Sequence, residues 1–306
     1  MLKAQRLCEG DSVGLVCPAG PVREHRLESG IDTLRSMGLK VKLGDHVRAA
    51  RGYLAGSDRD RAEDINKMFR DRSIKGIFCV RGGFGTTRIL DLLDYHAMGQ
   101  NPKVFVGYSD ITALHLALAK RSGLVTFHGP MVAEMTDDFP GYNRDHLERA
   151  LFSNRSVGEI KSPEGEKPPQ VLFPGKAEGP LRGGNLSLIC STLGTNYEID
   201  TRGCILFLEE VGEPPYKIDR MLTHLGMAGK LKDAAALVFG HWKDCTDERN
   251  PQSSVESLLA DIAAREQKPC LSNLMIGHDR FNITIPLNCR GLIENGRLYI
   301  TESGVL

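Results

Sequence analysis

Short apolar runs alternate with amphipathic segments along the first half of the chain. The runs SVGLVCPAG, IKGIFCV and KVFVG are almost wholly apolar, which is typical of strands buried on both faces. Between them, a segment opens at Ser57 with a favoured N-cap residue and places Ala62, Ile65 and Phe69 on one helical face. The run ILDLLD predicts a further helix. This alternation predicts an α/β fold with a parallel, doubly wound sheet.

The pattern changes in the middle of the chain. Residues 150–178 are rich in Pro, Gly, Ser and Lys and show no helical period, which indicates a domain junction. We therefore predict an N-terminal domain over 1–150, a linker over 151–178 and a smaller domain over 179–306. The last of these mixes strand-like runs such as ILFLEEV and AALVFG with helical segments such as KIDRMLTHLGMAG, so a mixed β/α domain is expected.

The charge balance excludes several classes of partner. In the 306 residues, Lys+Arg and Asp+Glu both number 39, so no basic excess exists for nucleic acid or an anionic membrane. No apolar stretch reaches the length of a membrane span, and charged residues come before any long apolar run at the N-terminus. We expect no nucleic-acid partner, no membrane partner and a cytoplasmic location.

Neither a metal site nor a cofactor site is predicted. The eight cysteines are scattered singly, without a CxxC pair or a histidine at zinc-ligand spacing, so we interpret them as reduced, mostly buried thiols. The segment RGGFG lacks the Gly-Lys-Ser/Thr ending of a phosphate loop and the spacing of a GxGxxG motif.

A serine stands between a buried strand and a helix in the segment GYSDITALH. Ser109 would lie at a positive helix N-terminus beside free backbone amides, an environment that can hold an oxyanion. The nucleophile-elbow motif Gly-x-Ser-x-Gly is incomplete, because Ile111 replaces the second glycine. A plain N-cap role for Ser109 stays open at this point, since serine is a common cap.

Two consecutive glycines, Gly82 and Gly83, follow the strand IKGIFCV. Glycine pairs occur where a backbone approaches a ligand closely or takes a positive φ, so this loop could supply a second amide to an oxyanion. An ordinary tight turn is the alternative. Because parallel strands end at one edge of a sheet, the loops VCPAG, RGGFG and GYSD are predicted to converge on one site.

A serine nucleophile needs a base and an acid that orients this base. Among nine histidines, His115 lies six residues after Ser109 and faces away from it around the helix, so a helix-face role suits it better. His278 stands in a predicted loop, and strand alternation should point one of Glu209 and Glu210 inward. Ser109, Glu209 and His278 then follow the Ser…acid…His chain order.

Six segments, taken together and in order, resemble the LD-carboxypeptidase family nearly end to end. This family of serine peptidases includes murein tetrapeptide carboxypeptidases and microcin immunity peptidases. The segments are RGGFGTTRIL, GYSDITAL, TFHGPM, GGNLSLICSTLGT, LFLEEVGEPPYKIDRMLTHL and GHDRFNITIPLN. Six ordered blocks are far more specific than any one of them.

The resemblance implies a role for each candidate residue. Ser109 would be the nucleophile, His278 the general base and Glu209 the residue that orients the base. Backbone amides of Asp110 and Gly83 would form the oxyanion hole, with no metal or other cofactor. The resemblance also implies a homodimer and a Rossmann-like or flavodoxin-like N-terminal part that carries the serine. The acid and base would belong to the smaller β/α part, so the site would lie across the junction.

The implied reaction is release of terminal D-alanine from murein tetrapeptides by cleavage of an L,D peptide bond. A carboxypeptidase must recognise a terminal carboxylate, which suits a guanidinium fork. Arg81 and Arg182 stand beside the two Gly-Gly pairs and are, with Gly82, the candidates for substrate binding, although a structural role for either arginine is equally open.

Two other functions stay open. The first, within the family, is hydrolysis of a microcin-type aminoacyl-nucleotide, where an aromatic side chain is expected to stack on the base. Trp242 is the only tryptophan, and Phe152 and Phe173 are the only aromatics of residues 150–185, which favours the murein substrate. The second is a non-catalytic α/β module that binds a small ligand. A glutamine-amidotransferase-like domain is disfavoured because its chemistry needs a cysteine where Ser109 stands.

Overall fold

The computed structural model describes residues 1–250 and 252–306, which divide into two compact units. The first unit comprises residues 1–156, 284–287 and 303–306, and the second comprises residues 157–283 and 288–302. Residues 151–178, which the composition suggested as a linker, begin at the last residue of a helix and include two short strands of the second unit.

A six-stranded sheet forms the centre of the first unit. Its strands are β1 (Ser12–Val16), β2 (Lys40–Leu43), β3 (Ile74–Cys79), β4 (Val104–Gly107), β5 (Phe127–His128) and β12 (Ile285–Pro286). The order is β12-β5-β4-β3-β1-β2, in which β1 to β5 run parallel and β12 runs antiparallel to β5. The order 2-1-3-4-5 is that of flavodoxin-like folds, so the predicted doubly wound sheet is confirmed.

Five helices accompany this sheet. They are α1 (Glu24–Ser36), α2 (Asp58–Arg70), α3 (Tyr95–Gln100), α4 (Thr112–Ser122) and α5 (Gly141–Leu151). Ser57 caps α2 as predicted: its hydroxyl accepts from the amide of Asp60, whose carboxylate accepts from the amide of Ser57. The helix then buries Ala62, Ile65 and Phe69, so its hydrophobic face packs into the core.

The helix predicted over ILDLLD is wrong in extent. A single 3-10 turn spans Leu90–Leu92, and Leu93 then takes an extended conformation. Asp94 accepts from the amide of Ala97 and starts α3 instead. The capping side chain of Asp94 therefore determines where α3 begins, and the apolar pattern alone does not predict this start.

The loops after β1, β3 and β4 meet at the carboxyl edge of the sheet. The amide of Gly20 donates to the carbonyl of Gly82 at 3.0 Å and joins the first loop to the second. The amide of Thr86 donates to a carboxylate oxygen of Asp110 at 2.8 Å and joins the second loop to the third. This is the β1/β3 switch point of the fold, where ligands bind in doubly wound sheets.

An eight-stranded mixed sheet forms the centre of the second unit. Its strands are β6 (Gly158–Glu159), β7 (Gln170–Phe173), β8 (Ala177–Asn185), β9 (Ile205–Val211), β10 (Ala236–Lys243), β11 (Cys270–Ser272), β13 (Arg290–Glu294) and β14 (Arg297–Ile300). The order is β6-β14-β13-β8-β9-β10-β11-β7, with β8 to β11 parallel and the outer strands antiparallel. The predicted mixed β/α composition is confirmed.

The described part of the second unit contains four helices. They are α6 (Leu186–Thr192), α7 (Pro215–Met227), α8 (Lys230–Asp233) and α9 (Val255–Glu266). The central strand β9 is buried over all but its last residue, so it forms the core of this sheet. Over the described residues, no helix combines the length and the apolar composition that a bilayer crossing needs. The eight cysteines are free thiols, and six of them are buried.

Candidate active site

Ser109 occupies a strained turn directly after β4. Its φ is +64°, a left-handed conformation that a serine rarely adopts, and a 3-10 turn over Ser109–Ile111 leads into α4. The N-cap positions of the 3-10 turn and of α4 are Tyr108 and Ile111, and neither side chain caps its helix. Ser109 is thus the first residue of the 3-10 turn and does not occupy the N-cap position of either helix. A strained strand-to-helix turn is the backbone of a nucleophile elbow.

The bulky residue in the incomplete motif has a structural explanation. A Cβ on Gly107 would lie 3.0 Å from both γ carbons of Ile111, so the first glycine makes room for that side chain. Ile111 is fully buried there. The second glycine of the common elbow is replaced by an apolar residue that locks the turn onto the end of β4.

The glycine-rich loop lies against the serine. A Cβ on Gly82 would stand 3.0 Å from Cβ and 3.1 Å from Oγ of Ser109, so only glycine lets the backbone come this close. Gly83 follows with φ +115°, which also favours glycine. The amide of Asp110 lies in the first turn of the 3-10 helix, where backbone N–H groups have no partner within the helix. Both amides suggested for the oxyanion hole thus belong to segments that border Ser109.

The side chain of Asp110 ties these two segments together. Its carboxylate accepts from the amide of Thr86 at 2.8 Å, and its carbonyl accepts from the Thr86 hydroxyl at 2.6 Å. Burial raises the pKa of the Asp110 carboxyl, while Thr86 and the charge of Arg61 counteract that rise. The two bonds hold the glycine-rich loop in register with the serine turn.

His115 has a structural role, in line with the helix-face interpretation. Its Nε2 bonds to the carbonyl of Gly107 at 2.8 Å and its Nδ1 to the hydroxyl of Thr126 at 2.9 Å. Because a carbonyl only accepts, Nε2 carries the proton of the neutral ring. Burial lowers the pKa of His115 to about 4. The ring therefore braces the end of β4 as a neutral group.

In the second unit, the buried Glu209 and the partly exposed His278 form a hydrogen-bonded pair. One carboxylate oxygen of Glu209 lies 2.6 Å from Nδ1 of His278, and Glu209 is 0% exposed at the end of β9. Burial raises the pKa of the Glu209 carboxyl, and the hydrogen bond from His278 partly offsets that rise. With Nδ1–H donating to the carboxylate, Nε2 is the basic ring nitrogen. The pair has the orientation that a general base and its acid need.

The backbone before His278 is shaped to fit this carboxylate. Gly277 has φ +111°, and a Cβ there would stand 2.5 Å from a carboxylate oxygen of Glu209. Its amide donates to the side-chain oxygen of Asn282 at 3.0 Å, which fixes the loop that carries His278. Gly277 is thus required where the histidine loop crosses the glutamate.

Glu210 corrects the expectation that only one of the two glutamates points inward. Both are buried, because β9 is a central strand. Glu210 accepts from the amide and hydroxyl of Ser187 at 2.8 and 2.6 Å and from Nδ2 of Asn185 at 2.8 Å. Its carboxylate therefore satisfies the N-terminus of α6, and Glu209 alone is left to the histidine.

The two candidate arginines have different surroundings. The guanidinium of Arg81 is exposed and donates to the carbonyl of Pro21 at 2.7 Å. Arg182 lies on β8, where Nε donates to the side-chain oxygen of Asn288 at 2.8 Å and Nη1 to the carbonyl of Asp200 at 2.5 Å. Arg182 thus has a structural role in the second unit, whereas most of the Arg81 guanidinium faces solvent.

Several residues of these two centres were missed by the sequence interpretation. Thr86, Asn185 and Gly277 have polar or glycine neighbours on the chain, and their partners are distant in sequence, so no local pattern reveals them. In residues 1–250 and 252–306, no group of three or more His, Cys, Asp or Glu side chains is placed to hold a metal ion.

Both halves of the chain match family models. Residues 13–129 match the model described as LD-carboxypeptidase N-terminal domain, and residues 178–293 match that described as LD-carboxypeptidase C-terminal domain. Ser109 and the glycine-rich loop fall within the first match, and Glu209 and His278 fall within the second.

Named relatives align over nearly the whole chain. A Bacillus subtilis protein named "probable murein peptide carboxypeptidase" is 41% identical, covering 99% of this chain and 95% of its own. The murein tetrapeptide carboxypeptidase of Pseudomonas aeruginosa is 32% identical, covering 94% of each chain. The structure of the microcin C7 self-immunity protein superposes with a TM-score of 0.93 at 24% identity over 100% of both chains, a likeness of fold.

Proposed function

The chain belongs to the LD-carboxypeptidase family, and from that premise we propose that it releases terminal D-alanine from murein tetrapeptides. It is a serine-type carboxypeptidase. The names of the Bacillus subtilis and Pseudomonas aeruginosa relatives support a murein peptide as substrate. The observation that carries the catalytic proposal is the 2.6 Å hydrogen bond between the fully buried Glu209 carboxylate and His278.

That hydrogen bond supports an acid–base role for the following reason. Burial of a carboxylate is costly unless its bonds compensate, and the hydrogen bond from His278 only partly offsets the rise in the pKa of Glu209 that burial causes. A well-packed apolar residue would stabilise β9 better at this position. A carboxylate that orients an imidazole and stabilises its protonated form explains the arrangement.

In the proposed acylation, Ser109, His278 and Glu209 act as a triad. Nε2 of His278 takes the hydroxyl proton of Ser109, and Oγ attacks the carbonyl carbon that precedes D-alanine. The amides of Gly83 and Asp110 stabilise the oxyanion. When this intermediate collapses, the C–N bond breaks, His278 gives its proton to the amine, and D-alanine leaves.

Deacylation reverses the proton transfers. A water molecule gives a proton to Nε2 of His278 and attacks the acyl carbon, and the same two amides hold the second oxyanion. The bond to Oγ then breaks, the shortened peptide leaves as a carboxylate, and Ser109 regains its proton. Throughout, Glu209 keeps the tautomer of His278 in which Nε2 exchanges the proton.

Mass spectrometry of a purified murein tetrapeptide before and after incubation tests the proposal. We expect loss of one D-alanine with the wild-type protein, and a turnover lower by several orders of magnitude with Ser109→Ala. Circular dichroism should show that this variant keeps its fold. Near-normal release of D-alanine by Ser109→Ala would contradict the assignment of the nucleophile.

The microcin-type substrate is the alternative outcome of the same assay. Phe173, one of the aromatics considered for base stacking, lies on the edge strand β7, which β10 and β11 separate from β9 in the sheet. Within the second unit this places Phe173 three strands away from the strand of Glu209, which argues against Phe173 as the side chain that stacks on a base. Faster hydrolysis of a processed aminoacyl-nucleotide microcin than of the tetrapeptide would make the microcin the preferred substrate.

A fluorophosphonate probe tests the non-catalytic alternative. Covalent labelling of Ser109, mapped by peptide mass spectrometry, is expected for an activated serine, and Ser109→Ala should remain unlabelled. The homodimer that the resemblance implies stays a prediction. Analytical ultracentrifugation would test it, with a sedimentation coefficient of a single 33.7 kDa chain as the contrary result.

A further inference from the structure

A buried arginine lies behind the glycine-rich loop of the first unit. Arg61 belongs to α2 and is 1% exposed, on the same face as Ile65 and Phe69. Its neighbour Arg59 on the same charged stretch is exposed. Burial of a guanidinium is expensive, so its contacts decide what it contributes.

The guanidinium of Arg61 joins two loops at the carboxyl edge of the sheet. Nη1 donates to the carbonyl of Pro18 after β1 and, at 2.9 Å, to the carbonyl of Gly85 after β3. The same two loops also meet where the amide of Gly20 donates to the carbonyl of Gly82 at 3.0 Å. Arg61 therefore closes a ring of hydrogen bonds that contains the stretch Gly82–Gly85.

The ring continues to the serine turn through the next residue. Gly85 has φ +136°, and a Cβ there would stand 2.7 Å from Nη1 of Arg61, so the loop backbone is pressed onto the guanidinium. Thr86 follows and donates twice to Asp110, the residue after Ser109. A shift of the Gly85 carbonyl would thus be transmitted to both segments that carry the oxyanion amides.

Stabilisation of the fold alone accounts poorly for this side chain. The one carboxylate bonded to Arg61 is Asp58, at 2.5 Å, and Nε has no hydrogen-bond partner among the described residues. A buried charge with incomplete bonding is a weak source of stability, and an apolar side chain of similar volume is often at least as good. The planar, multi-donor guanidinium does suit the task of holding several carbonyls at fixed positions.

We propose that Arg61 is a positioning residue of the active site, which holds the Gly82–Gly85 loop so that its amide points at the oxyanion. This inference rests on the proposed serine mechanism and adds a residue that touches neither substrate nor Ser109. Because small misplacements of catalytic groups are costly, loosening this loop should reduce turnover while substrate binding stays almost unchanged.

The first test is Arg61→Lys, which keeps the charge and removes the fork. For D-alanine release we expect kcat to fall about 100-fold, with KM within about threefold of wild type. Arg70→Lys is the matched control on the same helix, where the exposed Arg70 pairs with Asp94, and its kcat should equal that of wild type. Asp58→Asn removes the carboxylate partner and keeps both carbonyl contacts, so it should lower Tm while kcat stays within about twofold.

A second pair of variants tests the same linkage without touching the buried charge. Thr86→Val removes the hydroxyl that donates to Asp110 and should lower kcat about tenfold at constant KM, whereas Thr86→Ser keeps the hydroxyl and should restore it. If Arg61→Lys fails to fold, this pair still tests whether the hydrogen bonds of the loop position the oxyanion amides.

The rate of fluorophosphonate labelling of Ser109 separates this inference from the proposed function. Failure of the wild-type protein to release D-alanine would refute the substrate, but the ratio of labelling rates between wild type and Arg61→Lys would still report on the loop. Equal kcat and equal labelling rates in folded Arg61→Lys, or equal losses in Arg61→Lys and Asp58→Asn, would overturn the role of Arg61. Equal activity of Thr86→Val and Thr86→Ser would do the same.

Discussion

The two candidate catalytic centres are built from different parts of the polypeptide. In the first unit, the environment of Ser109 is mostly backbone: a φ of +64°, the first turn of a helix and a glycine pressed against the hydroxyl. In the second unit, the pair Glu209–His278 is made of side chains at a strand end and in a loop. The first centre depends on exact backbone placement, and the second on a buried charge.

This difference determines which substitutions are informative. In a centre made of backbone, the sensitive positions are those where an added Cβ, or the loss of a side chain that holds the loop, moves an amide. In a centre made of side chains, the sensitive positions are the titrating atoms, and isosteric changes suffice to test them.

The largest effect is expected from Glu209→Gln. Gln keeps the shape and can accept from Nδ1 of His278, but it cannot stabilise the imidazolium, so kcat should fall about 10³- to 10⁴-fold. Glu210→Gln is the matched control one residue along β9. Its carboxylate accepts from Ser187 and Asn185, so it should cost roughly 1–3 kcal/mol of stability with kcat little changed. Steady-state kinetics and urea unfolding of both variants measure kcat and the free energy of unfolding. Equal losses of kcat would contradict a catalytic role for Glu209 that Glu210 does not share.

Gly82→Ala tests the backbone centre. The added methyl would stand about 3 Å from Ser109, so either the loop or the serine must move, and kcat should fall roughly 10²- to 10³-fold. Gly99→Ala in α3 is the control, because its Cβ would meet no atom closer than 3.5 Å and alanine favours a helix. A kinetic comparison of the two variants decides, and a Gly82→Ala protein with wild-type kcat would show that the close approach is not functional.

The pH dependence of stability tests whether His115 is buried as a neutral ring. The pKa of His115 is lowered to about 4, so between pH 6.5 and 4 the unfolded state binds more protons than the native state. The free energy of unfolding should therefore decrease as the pH falls through this window, with about 3 kcal/mol attributable to His115. His115→Gln should reduce the dependence in urea titrations at several pH values. An identical slope in His115→Gln would show that this histidine is not buried as a neutral ring.

The smallest effect concerns the terminal carboxylate of the substrate. The exposed guanidinium of Arg81 has donors that can reach a ligand, so Arg81→Lys should raise KM about tenfold without changing kcat. The guanidinium of Arg182 is engaged by Asn288 and Asp200, so Arg182→Lys should lower Tm and leave KM unchanged. Progress curves over a range of tetrapeptide concentrations measure both, and the reverse result would move carboxylate binding to the second unit.

Much of the fold could be predicted because local signals agree with it. Ser57, with its capping partner Asp60, marks the start of α2, and the apolar runs mark β1, β3 and β4. The strand β12 has only two residues and pairs with β5, more than 150 residues earlier in the chain. No periodicity exists in so short a strand, so its place in the first unit could not be inferred.

The candidate site was predictable to a different degree in its two halves. The residue types and chain order of Ser109, Glu209 and His278 stand out, but a positive φ at a serine has no sequence signature. The sequence did contain one signal for the role of Arg61, which the sequence analysis did not use. Arg61 lies four residues before Ile65 and therefore on the buried face of α2. The charged residues Asp58, Arg59 and Asp60 directly before it made Arg61 resemble a solvent-facing arginine.

The pairing of β12 with β5 has a consequence for synthesis of the chain. The sheet of the first unit receives its outer strand, Ile285–Pro286, only after the whole sequence of Glu209 and His278 has left the ribosome. Until then the edge of β5 is unpaired, and the first unit is an incomplete core. We therefore expect the sheet that carries Ser109 to be completed late in synthesis, after the residues of the acid–base pair have been made.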